Sequence, residues 1–133
     1  MKPLAKWLPL IVACLFLFVT VGCKKSPATL VGTYSVKDGG ILKEFIRIEQ
    51  DGDKYTISEK DGRKWLSPIE AAPVDDEDLE KILAQPVKGS LTSLGTDTVA
   101  VVQVDRGWKL DKFESTTGFW LASALGPLEL YKN

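Results

Sequence analysis

The chain contains no histidine. That removes the side chain most often used as a general base near neutral pH, and the commonest metal ligand. Cysteine is almost as scarce, with two in the whole chain, Cys14 and Cys23. Cys14 sits inside an apolar run and reads as a small apolar residue of that run. Beyond Cys23 there is no further thiol, so a disulfide framework is impossible. Ser–His, Cys–His and His-based zinc sites are excluded. A Ser–Lys or paired-carboxylate site has no motif here, so the chain reads as a non-enzyme with no cofactor and no metal.

A large excess of one charge sign is also missing. Lys and Arg number 17, and Asp and Glu 18. This balance argues against nucleic acid as a partner. The first carboxylate in the chain is Asp38. There is one long apolar run, Trp7 to Val21, interrupted by Pro9 and softened by Thr20. A spanning helix needs about 20 apolar residues, and this run is shorter.

Lys2 and Lys6 precede that run, and Val21-Gly22-Cys23 closes it. A basic end, an apolar stretch and a small residue before a cut are the parts of a secretory signal. With cysteine directly after the small residue, the stretch resembles a bacterial lipoprotein signal peptide, although Thr20 stands where that family carries leucine. The resemblance implies that residues 1–22 are removed and that Cys23 becomes the lipid-bearing first residue. It also implies three acyl chains, palmitate among them. Each buried CH₂ contributes ~0.8 kcal/mol, so three chains hold durably. Membrane lipid is thus the first expected partner. In that family an Asp after the cysteine favours the inner membrane, and here Lys24 follows. The resemblance therefore implies a cell-envelope protein, on the outer membrane and facing the periplasm if the host is Gram-negative. Residues 23–29, with Lys24, Lys25 and Pro27, read as a solvated tether.

Removing 22 of the 133 residues leaves 111, one domain's worth. Two lysines and no carboxylate leave with them, so the remainder carries a net charge of −3. Residues 30–133 read as a single β-rich domain: a small antiparallel β-barrel or meander with one short helix over about 75–84. Thr29 to Val36 read as the opening strand, with Leu30, Gly32, Tyr34 and Val36 on one face. Gly32 there predicts a bend or a close approach. Its Gly-x-Tyr pattern is similar to that of lipocalin-like small barrels.

Asp38-Gly39-Gly40, Asp51-Gly52 and Asp61-Gly62 are hairpin turns. They separate strands at Ile41–Gln50, Lys54–Glu59 and Arg63–Ser67. In the first of these, Leu42, Ile46 and Ile48 share a face. Pro68 ends this rhythm, and 68–74 read as a loop. Asp75 caps the helix, acids fill its first turn, and Leu79, Ile82 and Leu83 form its stripe. Thr98–Val104 is apolar on both faces and reads as central.

Trp65, Trp108 and Trp120, with Tyr34, Tyr55 and Phe119, are candidates either for core or for the lining of a cavity. Phe119 and Trp120 are adjacent, so on a strand they face opposite sides. One ring leaves the interior unless a second layer covers it, which makes Phe119 and Trp120 the candidate partner-binding residues. The expectation is a membrane-anchored lipoprotein that binds, and inhibits, a protein partner in the manner of immunity or inhibitor proteins. Lysozyme-inhibitor lipoproteins are similar in size and anchoring, though they usually carry a disulfide. The alternatives are a lipocalin-like carrier of a small apolar ligand and an envelope structural or assembly protein.

Overall fold

The computed structural model describes residues 25–133. Cys23 and the signal-like segment 1–22 lie outside the described residues. Strands β1 (Gly32–Asp38), β2 (Ile41–Asp51) and β3 (Lys54–Asp61) form two hairpins, and β4 (Lys64–Trp65) folds back on β3. Then come β5 (Ile69–Pro73), helix α1 (Asp76–Leu83), β6 (Thr92–Gly95) and β7 (Ala100–Gln103). A small hairpin, β8 (Trp108–Leu110) with β9 (Phe113–Ser115), precedes β10 (Phe119–Ala122), β11 (Leu128–Glu129) and β12 (Tyr131–Lys132). Among the described residues, no helix is long and apolar enough to cross a membrane.

The main sheet is antiparallel throughout, in the order β11-β10-β7-β6-β5-β3-β2-β1-β12. Its two outermost strands are consecutive in sequence, separated only by Leu130. The C-terminal segment therefore pairs with β10 on one side and with β1 on the other, and the sheet curls into a nearly closed barrel. The Leu130 amide donates to the Phe119 carbonyl (3.0 Å), and the Asn133 amide to that of Thr33 (2.9 Å). The Glu129 carboxylate fastens the seam. It accepts the hydroxyls of Ser115 and Thr117 and the amide of Thr116, all at 2.8 Å. Ser115 is buried, and its hydroxyl belongs to this clamp.

The expected local signals hold. Each Asp-Gly turn leaves a two-residue loop, with Gly52 and Gly62 at φ 65° and 64°, where glycine is at ease. Asp75 caps α1 by accepting the Asp78 amide at 2.8 Å. Gly32 has φ 147°, and a Cβ there would lie 2.9 Å from the Lys132 stem, the close approach its position predicts.

Three expectations change. Leu42 does not share the buried face of Ile46 and Ile48. A bulge between Tyr34 and Ser35 shifts the register of β1 against β2, pairing Tyr34 with Ile46 but Ser35 with Glu44. One extra residue reverses the faces beyond it, and Leu42 turns outward. Residues 69–73 form a strand rather than a loop, because Ile69 and Ala71 pair with Ile57 and Tyr55. Pro73 is tolerated at its last position. Finally, Pro27–Leu30 form a 3-10 turn capped by Ser26, and the strand starts after it. The Lys25 amide bonds the Leu91 carbonyl, and the Thr29 hydroxyl bonds the Gln103 side chain, so residues 25–29 lie on the barrel.

The barrel interior is filled by Tyr34, Ile46, Ile48, Ile57, Leu94, Val101, Leu121 and Leu130, each at most 5% exposed. Leu30 caps this core, and the Tyr34 hydroxyl donates to its carbonyl at 2.6 Å. Desolvation raises the Tyr34 pKa well above the ordinary tyrosine range. A folded-state pKa above the unfolded value of about 10 leaves stability intact below pH 10, and stability falls as the unfolded chain ionises above it. Tyr34→Phe should therefore cost about 1–3 kcal/mol at neutral pH, by leaving the Leu30 carbonyl without its donor. The same variant should flatten the alkaline limb of the stability curve. Denaturant midpoints across pH 7–11 check this; an alkaline limb as steep as the parent's would contradict it.

Candidate functional site: the two ends of the barrel

In an antiparallel meander, alternate connections emerge at opposite ends. The lead-in at Lys25, the β2–β3 turn, the segment carrying α1 and the segment carrying β8–β9 all emerge at one end, here called proximal. The β1–β2, β3–β4–β5, β6–β7 and β10–β11 connections emerge at the other, distal end.

Of the two alternatives for the aromatic residues, core or the lining of a cavity, the structure shows core for all but Trp65, divided between two clusters. Trp120 and Phe119 do face opposite sides of β10. Phe119 and Leu121 point into the barrel, where the Phe119 ring lies 5.5 Å from that of Tyr34. Trp120 and Ala122 point outward and meet a second apolar cluster with Leu79, Val87, Ala100, Val102 and Val104. α1 and the β8–β9 hairpin cover that cluster. Trp120 is 0% exposed, stacked on Trp108 (5.1 Å, 16°) and tilted against Phe113 (5.9 Å). The domain thus has two cores, one on each face of β7 and β10. Of the two candidate rings, Trp120 is enclosed, and only the half-buried Phe119 reaches a surface, at the proximal end.

Trp65 lies outside the barrel. Its ring is covered by the Arg47 guanidinium (4.4 Å) and the Lys60 ammonium (5.4 Å). Lys60 also pairs with Glu44 at 2.9 Å. None of the three tryptophans lines the interior.

The distal end carries what residue-by-residue reading missed. Among the described residues, the exposed large apolar side chains are Ile41, Leu42, Leu66, Ile69, Leu125 and Leu128. All six stand on distal connections or the strand ends beside them. Ile41 follows the Gly39-Gly40 turn, and Leu66 and Ile69 flank Pro68. Leu125 is fully exposed at the tip of a turn closed by the Gly126 amide on the Ser123 carbonyl (3.0 Å). A cleft of about 170 Å³ lies between Leu66, Ile69, Thr96, Thr98 and Val99. The ring has a charged border. Lys43 pairs with Asp38 at 2.8 Å; its hydrogen bond, then its charge, hold the Asp38 carboxyl below its usual range. The available signal was leucine and isoleucine placed beside Gly and Pro, where turns expose them.

No protein-family model matches the chain, and comparison with curated proteins and with solved structures returned no match.

The two aromatic and apolar sets should separate cleanly in stability. Trp120→Ala should cost ~3–5 kcal/mol, as for other enclosed aromatics. Leu125→Asp and Ile69→Lys should stay within about 0.5 kcal/mol of the parent. Urea midpoints measure both; a large loss on Leu125→Asp would mean that the tip is packed.

Proposed function

We propose that this chain is a lipid-anchored binding protein of the cell envelope, without catalytic activity, that engages a protein partner through its distal apolar ring. The carrying observation is the gathering of the exposed large apolar side chains at one end of the barrel. Isolated apolar residues are ordinary on surfaces, but a collected set bordered by charge marks a contact site. The ring lies at the end opposite Lys25, two residues from Cys23, so a Cys23 anchor presents it away from the membrane.

The interior favours surface binding over carriage of a small apolar ligand. Leucine, isoleucine, valine and tyrosine side chains occupy the space that a carrier leaves open. An inhibitor or immunity role fits a small rigid barrel whose contact residues sit on short turns. On the lipoprotein reading, Lys24 directs it to the outer membrane, facing the periplasm in a Gram-negative host.

Two measurements test the parts separately. Cys23→Ser should abolish palmitate incorporation and leave an uncleaved or displaced precursor; equal labelling of the mutant excludes the anchor. A photo-crosslinking residue at Leu125 should capture a defined partner in intact cells, and one at Glu114 on the β8–β9 hairpin should not. Leu125→Asp with Ile69→Lys should weaken that partner's binding by ~2 kcal/mol or more, the scale of apolar anchors. Equal capture at both positions would remove the distal ring from the proposal.

A further inference from the structure

We infer that the proximal end of the barrel is a seat for anionic phospholipid headgroups, formed around Phe119, Arg106, Lys132 and Lys25. The inference rests on the lipid-anchor reading above and adds an orientation to it. Two adjoining surface grooves, of about 380 and 280 Å³, share Phe119, Arg106 and Thr117. Lys132 lines the first and Lys25 the second. The Lys132 ammonium lies 5.6 Å from the Phe119 ring centroid and donates to the Thr29 carbonyl at 2.7 Å. Arg106 is exposed and forms no ion pair among the described residues. Two carboxylates lie nearby: Glu129, already holding three donors, and Asp105, which lines the second groove. Asp51 and Asp53 of the β2–β3 turn and the acid-rich first turn of α1 also stand at this end, so its cations are concentrated at the two grooves rather than spread over it.

Geometry selects lipid as the occupant. From Cys23 to Lys25 the chain spans two residues, at most about 7 Å. The Lys25 amide is fixed to the Leu91 carbonyl, so no slack follows. An anchored barrel holds this end within about one Debye length of the bilayer, ~8 Å at physiological salt. There an anionic surface attracts lysine and arginine. Phe119, half-buried with its ring packed toward Tyr34, forms the apolar floor that both grooves share beneath these cations.

The full-length acylated protein, reconstituted in vesicles, tests this. An environment-sensitive fluorophore is attached at Thr116→Cys, beside Phe119, and separately at the distal Leu125→Cys. Vesicles are phosphatidylcholine alone or mixed with phosphatidylglycerol. On the mixed vesicles the label at 116 should shift to the blue and resist an aqueous quencher, while the label at 125 stays accessible. High salt should reverse the effect. Arg106→Glu and Lys25→Glu, each exposed, should each lower the protected fraction roughly fivefold or more. Flotation with phosphatidylcholine vesicles reports the anchor alone, and the mass of Cys23 reports its lipid. Flotation intact, with the label at 116 equally quenched on both vesicle types, overturns the seat and leaves the anchor standing. A Cys23 without lipid overturns both.

Discussion

The structure depends on burying both faces of β7 and β10. Val101 and Leu121 fill the barrel from one face of this pair; Ala100, Val102, Trp120 and Ala122 form a second core on the other. A barrel strand normally needs an apolar inner face only. An apolar outer face requires a lid, and two insertions provide it: α1 between β5 and β6, and the β8–β9 hairpin between β7 and β10. Leu79 of α1 and Trp108 of the hairpin meet on Trp120 and its neighbours. The burial is dense enough to hold two polar atoms without hydrogen-bond partners among the described residues, Trp120 Nε1 and Ser93 Oγ. Each costs about 1–3 kcal/mol of desolvation. Enclosing a tryptophan side chain, with its stack on Trp108, offsets a cost of that size.

Closure of the sheet is the second requirement. Without the segment Leu128–Lys132, β1 and β10 would each present an open edge, the liability that closed barrels remove. One kink at Leu130 lets the same segment pair with both. Glu129 ties this segment to the 115–117 loop at the base of the hairpin lid. The clamp thus couples the seam to the lid, and a change at the seam disturbs both cores.

What could be read in the sequence was local. Asp-Gly turns, the Asp75 cap and the acid-rich first turn of α1 are set by a few neighbouring residues, and they stand where expected. Thr98–Val104 was legible as central because its apolar residues leave no polar face. The opening strand was half legible: Tyr34 and Leu30 are buried, but Pro27 starts a turn there, not a strand. What was not legible depends on partners distant in sequence. The bulge that turns Leu42 outward appears only when β1 meets β2. Residues 69–73 become a strand because Tyr55 and Ile57 offer an edge. Trp120 looked like a contact residue because nothing local announces that Trp108, Phe113 and Leu79 converge on it. The distal ring was hidden for a related reason. Leu66, Ile69, Leu125 and Leu128 are scattered through the chain, and only the up-and-down order collects them at one end.

That collection has a physical meaning apart from any partner. Both lid insertions leave from the proximal end, and the distal connections are short turns with no room to fold over their own apolar side chains. The fold covers the outer face of β7 and β10 completely and leaves the distal ring open. In a freely diffusing protein such a ring is an aggregation liability. The two-residue tether to a membrane proposed above would change the balance. It would confine the barrel to the membrane plane with its proximal end inward, so that ring-to-ring encounters between neighbours anchored in the same leaflet would be disfavoured. The proposed partner, approaching from the aqueous side, would meet the ring directly. Turns closed by hydrogen bonds hold the ring with little conformational freedom left to lose, which lowers the entropic cost of association. The proposed anchor and the proposed binding ring therefore support each other: the tether that makes the apolar end tolerable also aims it.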